Sequence, residues 1–326
     1  MMKAVLCRAW GEPETLSFEE VPPHPIGPRD ARVRVHACGV NFADTLMVAG
    51  KYQVRPEFPF TPGLEASGIV TELGAEVLHL RLGQRVLAVL RFGGAYAEEI
   101  VLNADAVVPI PERMDFVTAA AFPVAYGTSH FALTHRGNVK SGETLLVLGA
   151  AGGAGLTAVE IGKQLGARVI AAAGGPEKLA VARDHGADEL IDYRTQSIRD
   201  RVREMTGGLG ADVVYDPVGG DAFDQAIRAV NWEARMLVIG FAAGRIQQVP
   251  ANLILVKNIS VIGVVWGAQA ARDPVLVSRN LAELLRWWDE GRLHPVVAKT
   301  FRLAEAGTAM QALLSRRHAG KIVLEV

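Results

Sequence analysis

Hydrophobic and polar positions recur at two different periods along this chain, and the change falls near Thr118. Before it the alternation has period two. Residues 31–37 read Ala-Arg-Val-Arg-Val-His-Ala, which buries one face of a strand and wets the other. Residues 3–10, 69–73 and 85–90 read as further short strands, set apart by proline-rich connectors at 21–23 and 56–62. Short strands at regular spacing predict a compact antiparallel barrel or sandwich. After Thr118 helical and strand patterns take turns. Residues 118–136 are helical, interrupted by Pro123 and Gly127. An apolar strand at 143–148 precedes a helix at 155–165 with Leu156, Val159, Ile161 and Leu165 on its apolar positions. A strand at 168–173 and a helix at 176–185, closed by Gly186, come next. Strand 189–192, helix 197–205 and strand 212–215 continue the series, as do 221–229, 236–240, 252–256 and 259–265. Strands joined by crossover helices predict a parallel, doubly wound sheet. A last long amphipathic helix at 274–290 carries Trp287 and Trp288. The tail from Arg292 returns to a strand–helix–strand pattern ending at 321–326 and is expected to rejoin the first domain. The chain is therefore expected to be α/β, with a β-barrel domain over 1–121 and 291–326 and a doubly wound parallel-sheet domain over 122–290.

Composition narrows the class. The 326 residues carry 34 basic and 35 acidic side chains, a net charge of −1. That balance argues against a dedicated nucleic-acid binder, which needs excess Lys and Arg to neutralise phosphates. A chain that is 50% hydrophobic is also not disordered. Cys7 and Cys38 are the only two cysteines and form no Cys-x-x-Cys pair. They read as packing residues of a protein in a reducing cytoplasm. Residues 1–10 have no long apolar run, so no secretory signal is expected. The uncharged run at 144–159 is too short and too glycine-broken for a membrane helix. The 34 glycines remain to be explained.

The strand at 143–148 runs into Gly149-Ala150-Ala151-Gly152-Gly153-Ala154-Gly155 and then a helix. A dinucleotide pyrophosphate sits on bare backbone N–H groups at such a turn. Ala151, Gly152, Gly153, Ala154 and Gly155 are the expected contacts. Gly152 would admit the phosphates, and Gly155 would let the helix pack against the strand. Ala150 stands where the usual fingerprint has its first glycine. The surrounding strand–loop–helix–strand unit gives the motif its weight. An NAD site wants a carboxylate at the tip of the second strand. Here the tip reads Ala171-Ala172-Ala173-Gly174-Gly175-Pro176, with no acid before Glu177. An uncharged pocket at Gly174, with Lys178, Tyr193 and Arg194 as donors, suits a 2′-phosphate instead. The expected cofactor is NADPH rather than NADH.

These residues, with Ala37-Cys38-Gly39-Val40-Asn41-Phe42-Ala43-Asp44-Thr45, Pro62-Gly63-Leu64-Glu65-Ala66-Ser67-Gly68, Pro123-Val124-Ala125-Tyr126-Gly127-Thr128 and Tyr215-Asp216-Pro217-Val218-Gly219-Gly220, resemble the medium-chain dehydrogenase/reductases. Within them the chain resembles the zinc-free NADPH:quinone oxidoreductases, over essentially its whole length. The resemblance implies a GroES-like catalytic domain built from both chain ends around a Rossmann domain. Zinc-dependent relatives place Cys where this chain has Asn41 and His where it has Leu64. Glu65 alone cannot hold a catalytic zinc, which wants three protein ligands. No structural four-cysteine lobe is present, and the eight histidines show no close pairing. No metal is expected.

Without a Lewis acid, an unactivated alcohol is a poor substrate. Quinones and α,β-unsaturated carbonyls delocalise an incoming hydride themselves, leaving the protein to position and hydrogen-bond. The resemblance places Asn41 at the nicotinamide riboside, Thr128 at its carboxamide and Tyr52 at the acceptor. The Tyr52 phenol reads equally as a hydrogen-bond donor to the developing oxyanion or as plain lining. Leu46 and Val48 replace a tyrosine and an arginine of many relatives, which predicts a more apolar acceptor pocket. Phe241, Ala242, Val265 and Trp266 follow the fifth and sixth strands and are expected cofactor contacts. Arg316 matches a family arginine that reaches the cofactor. The resemblance places subunit pairing at residues 252–258 and the apolar strand 259–265, and an apolar edge strand needs cover, so a homodimer is expected. Two alternatives stand beside the quinone or enone reductase: an enoyl-thioester reductase, and a non-catalytic NADPH-binding protein.

Overall fold

The computed structural model describes the chain from Met1 to Val326, with side chains described at every position except 270, 271 and 274. It divides into two compact units. One comprises Met1–Val124, Ala270–Asp289 and Pro295–Val326, the other Ala125–Gln269 and Glu290–His294.

In the first unit a seven-stranded sheet forms around Asp30–Val40, whose residues alternate between buried and open along its first half. That strand pairs antiparallel with Glu65–Leu73, with Glu99–Asn103 and with the C-terminal strand Lys321–Glu325. The tail is thus hydrogen-bonded into the first unit, with Ile322 opposite Val40 and Leu324 opposite Cys38. Val297–Arg302 extends the sheet parallel to Lys321–Glu325. Met2–Leu6 pairs with Ser17–Val21 as a separate ribbon. Both cysteines are free and lie in the core between these strands. The helix Pro274–Asp289 belongs to this unit, whereas the sequence division keeps 274–290 with the Rossmann segment. Its apolar face, with Leu281, Leu284, Leu285 and Trp287, is buried. Arg113 anchors its end, pairing with Asp289 at 2.8 Å and lying over the Trp288 ring.

The second unit is a six-stranded parallel sheet. Its order is Glu189–Asp192, Arg168–Ala173, Thr144–Leu148, Ala211–Asp216, Val230–Val238, Ser260–Gly263. Numbered along the chain this order is 3-2-1-4-5-6, the doubly wound dinucleotide-binding arrangement. The central strand Thr144–Leu148 is buried at every position, as a strand covered on both faces must be. Because parallel crossovers are right-handed, winding outward both ways from this strand puts helices on both faces. Ligands collect where the winding reverses, outside the carboxyl ends of the strands.

The segment 118–136 resolves into Phe116–Ala120, Pro123–His130 and a π-helical Phe131–Arg136. Pro123 does break the helix, but Gly127 does not. It lies inside Pro123–His130, where a Cβ would come within 2.4 Å of the Trp266 ring. The residue is small because an indole packs on it. The helix expected at 155–165 begins two residues earlier, as Gly153–Gln164, because Gly152 serves as its N-cap. No helix among the described residues is long and apolar enough to cross a membrane.

Candidate cofactor and acceptor site

The phosphate loop leaves the buried strand Thr144–Leu148 through Gly149, whose φ is +60°. The Ala150 N–H donates to Ala172 O at 3.0 Å, and the Gly152 N–H to Gly149 O at 2.9 Å. These bonds fix the turn to the neighbouring strand. A Cβ on Gly155 would lie 2.2 Å from Gly149 O and 2.8 Å from Ala150 Cα, so only glycine lets the helix start this close. A Cβ on Gly152 would meet nothing nearer than 3.4 Å, so the protein leaves that space unfilled. No side chain caps the start of Gly153–Gln164, whose first N–H groups are available to an anion. Ala151 is buried, while Gly153 and Ala154 are half-buried.

A buried hydroxyl cluster ties Ser129, the neighbour of Thr128, to this loop, and sequence reasoning missed it. The Ser129 hydroxyl donates to Ala154 O at 3.0 Å and meets Thr157 Oγ1 and Tyr215 OH, each at 2.8 Å. The Thr157 hydroxyl also lies 3.2 Å from Ala125 O. The helix carrying Thr128 is thereby tied to the helix that begins at the phosphate loop.

At the tip of the second strand the absent carboxylate is supplied from the third. Asp192 lies opposite Ala173 in the sheet register. Its Oδ1 accepts the Gly175 N–H at 3.1 Å, and its two oxygens grip the Arg194 guanidinium at 3.2 and 3.1 Å. This pairing with Arg194 is the largest cause that holds the Asp192 carboxyl below its ordinary range. The guanidinium lies against Gly175, where a Cβ would come within 2.5 Å of Nη2. Tyr193 covers Gly174 in the same way, its hydroxyl 3.2 Å from a Cβ built there. The tip therefore holds an acid already matched by a base, with a phenol beside it. Lys178 is half-buried in the first turn of the helix Pro176–Asp184.

Two further strand ends meet. Asp216 Oδ1 accepts the N–H groups of Val218 and Gly219, each at 2.8 Å, and so forms the turn after its strand. Burial pushes this carboxyl up to about 6, with those N–H groups pulling the other way. The Ala242 N–H donates to Pro217 O at 3.1 Å, and Phe241 approaches Gly219. Val265 is 52% exposed, whereas Trp266 is 3% exposed and packs on Gly127. The bare loop, the uncapped helix start and the guanidinium at the strand tip fit a phosphorylated dinucleotide.

The first unit contributes a separate polar cluster. Asn41 precedes the helix Phe42–Val48, and its N–H donates to the Asp44 carboxylate at 2.8 Å. Asp44 also accepts the Tyr96 hydroxyl at 2.9 Å. The Asn41 carboxamide donates to the fully buried Glu65 at 2.8 Å and accepts from Lys321 at 2.6 Å. Tyr52 is half-buried against the barrel core. Burial is the largest cause that raises its phenol, Asp44 adds to it, and Gln53 opposes. The phenol therefore keeps its proton at neutral pH. Leu46 is half-buried, but Val48 is fully buried in the core. Val48 does not make an open acceptor surface apolar, contrary to the expectation from sequence. Arg316 lies exposed just past the helix Ala306–Leu314, with φ +54°, a left-handed position usually held by glycine. Among the described residues no group of three or more His, Cys, Asp or Glu is placed to hold a metal ion.

Comparison with known proteins agrees with this geometry. Residues 27–112 match the Alcohol dehydrogenase GroES-like domain family, and residues 153–283 the Zinc-binding dehydrogenase family. The Quinone oxidoreductase-like protein 2 homolog of Nematostella vectensis is 41% identical over 99% of this chain and 88% of its own length. A solved quinone oxidoreductase from Pseudomonas syringae superposes with a TM-score of 0.95 at 31% identity, covering 100% of both chains. The Escherichia coli quinone oxidoreductase, solved in complex with NADPH, superposes at 0.92 with 29% identity over 99% of this chain and 100% of its own. The chain belongs to the quinone oxidoreductase-like members of the medium-chain dehydrogenase/reductase superfamily and is an oxidoreductase.

Proposed function

We propose that this protein uses NADPH to reduce a quinone or an α,β-unsaturated carbonyl without zinc. The observation that carries the reading is the Arg194 guanidinium held by Asp192 against Gly175. A carboxylate that would otherwise repel a 2′-phosphate is neutralised, and the cation that neutralises it keeps donors for that phosphate. Lys178, Tyr193 and Gly174 complete this end of the cofactor site. Ala151 to Gly155 take the pyrophosphate, and Phe241, Ala242, Val265, Trp266 and Arg316 take further contacts. The NADPH complex of the similar E. coli quinone oxidoreductase supports the choice of cofactor.

Bound NADPH supplies a hydride. The chain's own residues then have modest tasks. Asn41 and Thr128 orient the nicotinamide end. Tyr52, kept protonated by its surroundings, donates a hydrogen bond to the acceptor oxygen as negative charge develops there. The donor set around Asn41 contains an amide, a carboxylate and an ammonium, which is poor company for zinc. Acceptors that delocalise charge themselves suit such a site.

A domain division near 124/125 that returns residues 270–289 and 295–326 to the first unit, a cytoplasmic location and a homodimer complete the reading. The dimer is supported by the half-open edge strand Ser260–Gly263 and by the exposed side chains of Leu255 and Val256 nearby. The test is an acceptor screen of NADPH oxidation with benzoquinone, naphthoquinone, a simple enone and crotonyl-CoA. Turnover with the quinones or the enone is expected. Turnover confined to crotonyl-CoA would make the protein an enoyl-thioester reductase, and tight binding without any turnover a non-catalytic one.

A further inference from the structure

Lys321 sits in the C-terminal strand, 280 residues along the chain from Asn41, yet its ammonium touches three oxygens around that residue. It donates to Asn41 Oδ1 and to Glu65 Oε1, each at 2.6 Å, and to Val40 O at 3.1 Å. Three protons meet three acceptors, so the ammonium is fully satisfied. Glu65 is equally engaged. Its Oε1 also takes the Asn41 Nδ2 at 2.8 Å, and its Oε2 takes the Val124 N–H at 2.8 Å. Room for this carboxylate exists because residue 39 is glycine, where a Cβ would lie 2.2 Å from Glu65 Oε1. The pairing Ile322–Val40 between the two strands sets Lys321 at this depth.

The consequence falls on the Asn41 carboxamide. A lysine can only donate and an ionised glutamate can only accept. Turned over, the carboxamide would set its oxygen against the carboxylate and its NH2 against the ammonium. Both contacts would be repulsive in a buried setting. The amide is held in one orientation, with one N–H left to offer.

We propose that Lys321 and Glu65 are positioning residues that fix the Asn41 carboxamide for its cofactor contact. This rests on the role proposed above for Asn41. Their effect on the cofactor passes through Asn41, so it vanishes when the carboxamide is removed.

NADPH dissociation constants, read from quenching of protein fluorescence, test this in a cycle of Lys321→Met, Asn41→Ala and the double variant. Thermal melts accompany each protein to confirm the fold. Lys321→Met is expected to weaken NADPH binding roughly five- to tenfold, and Asn41→Ala at least as much. The double variant is expected to bind no worse than Asn41→Ala alone. Losses that multiply in the double variant would overturn the proposal, as would Lys321→Met binding within about twofold of the parent. Unchanged binding in Asn41→Ala would instead overturn the cofactor role of Asn41, and the positioning role with it. Lys321→Met leaves a buried carboxylate unpaired and risks unfolding. In that case Glu65→Gln/Lys321→Met, which removes both charges, takes its place in the cycle with the same outcomes.

Discussion

The Trp266 indole lies where a side chain on Gly127 would stand, with ring carbon Cζ2 only 2.4 Å from a Cβ built there. Trp266 begins its own helix, 139 residues further along the chain, and Gly127 sits in the helix that carries Thr128. Helix propensity alone favours alanine at position 127, by about 1 kcal/mol. Packing opposes it, and an inserted methyl in a filled core costs about 1–3 kcal/mol. The net loss is at most about 2 kcal/mol, so Gly127→Ala is expected to lower the thermal midpoint by about 1–3 °C in a chain of this size. An unchanged or higher midpoint would mean that the indole moves aside freely.

Arg194 carries the prediction for cofactor choice. Charge-assisted contacts from its guanidinium to a 2′-phosphate are the proposed source of the preference. Arg194→Gln is expected to weaken NADPH binding roughly 10- to 100-fold and to leave NADH binding within about threefold. It also frees Asp192 to meet a ribose hydroxyl, so NADH binding can improve. Equal losses for the two cofactors, measured as dissociation constants, would remove Arg194 from the 2′-phosphate site.

Asp44 gives the fold a pH dependence. Its carboxyl is pushed up to about 7 from an ordinary 3.8, and burial is the largest cause. The Asn41 N–H, the Tyr96 hydroxyl and Lys321 pull it down, while Glu65 adds to the rise. Between about pH 4 and pH 7 the folded state holds a proton that the unfolded chain has released. This contribution to stability is full below about pH 4 and lost as pH rises through about 7. Asp216, raised to about 6, adds a slope of the same sign. Urea unfolding of Asp44→Asn at several pH values is expected to show a flatter fall over this window. Superimposable pH profiles for parent and variant would assign the dependence to other groups.

Tyr52 separates hydrogen-bond donation from lining. Tyr52→Phe keeps the ring and removes the hydroxyl. If the phenol meets the developing oxyanion, kcat/KM with a quinone falls about tenfold or more. A change below about threefold, under roughly 0.7 kcal/mol, would reduce the phenol to lining.

Much of this was legible in the sequence because it is local. The apolar strand running into Gly149–Gly155 encodes strand, turn and helix within a dozen residues, and Gly155 answers a contact six residues away. Partnerships across the fold left no such trace. Residues 171–177 hold no carboxylate before Glu177, and Asp192 delivers one to the second strand tip through sheet pairing with Ala173. Gly127 read as a helix breaker because its partner Trp266 is remote in sequence. Val48 read as pocket lining because its place in a family motif says nothing about which way it turns, and it turns into the core. Lys321, in a strand otherwise apolar apart from Glu325, gave no sign that it neutralises Glu65.

The proposed reaction passes a hydride from NADPH to a self-activated acceptor with no metal taking part. NADPH consumption with naphthoquinone, by protein dialysed against a strong chelator and assayed for metal, tests it most directly. Turnover within about twofold of the untreated protein is expected when metal is far below stoichiometric. Turnover lost on chelation and restored by zinc would contradict it.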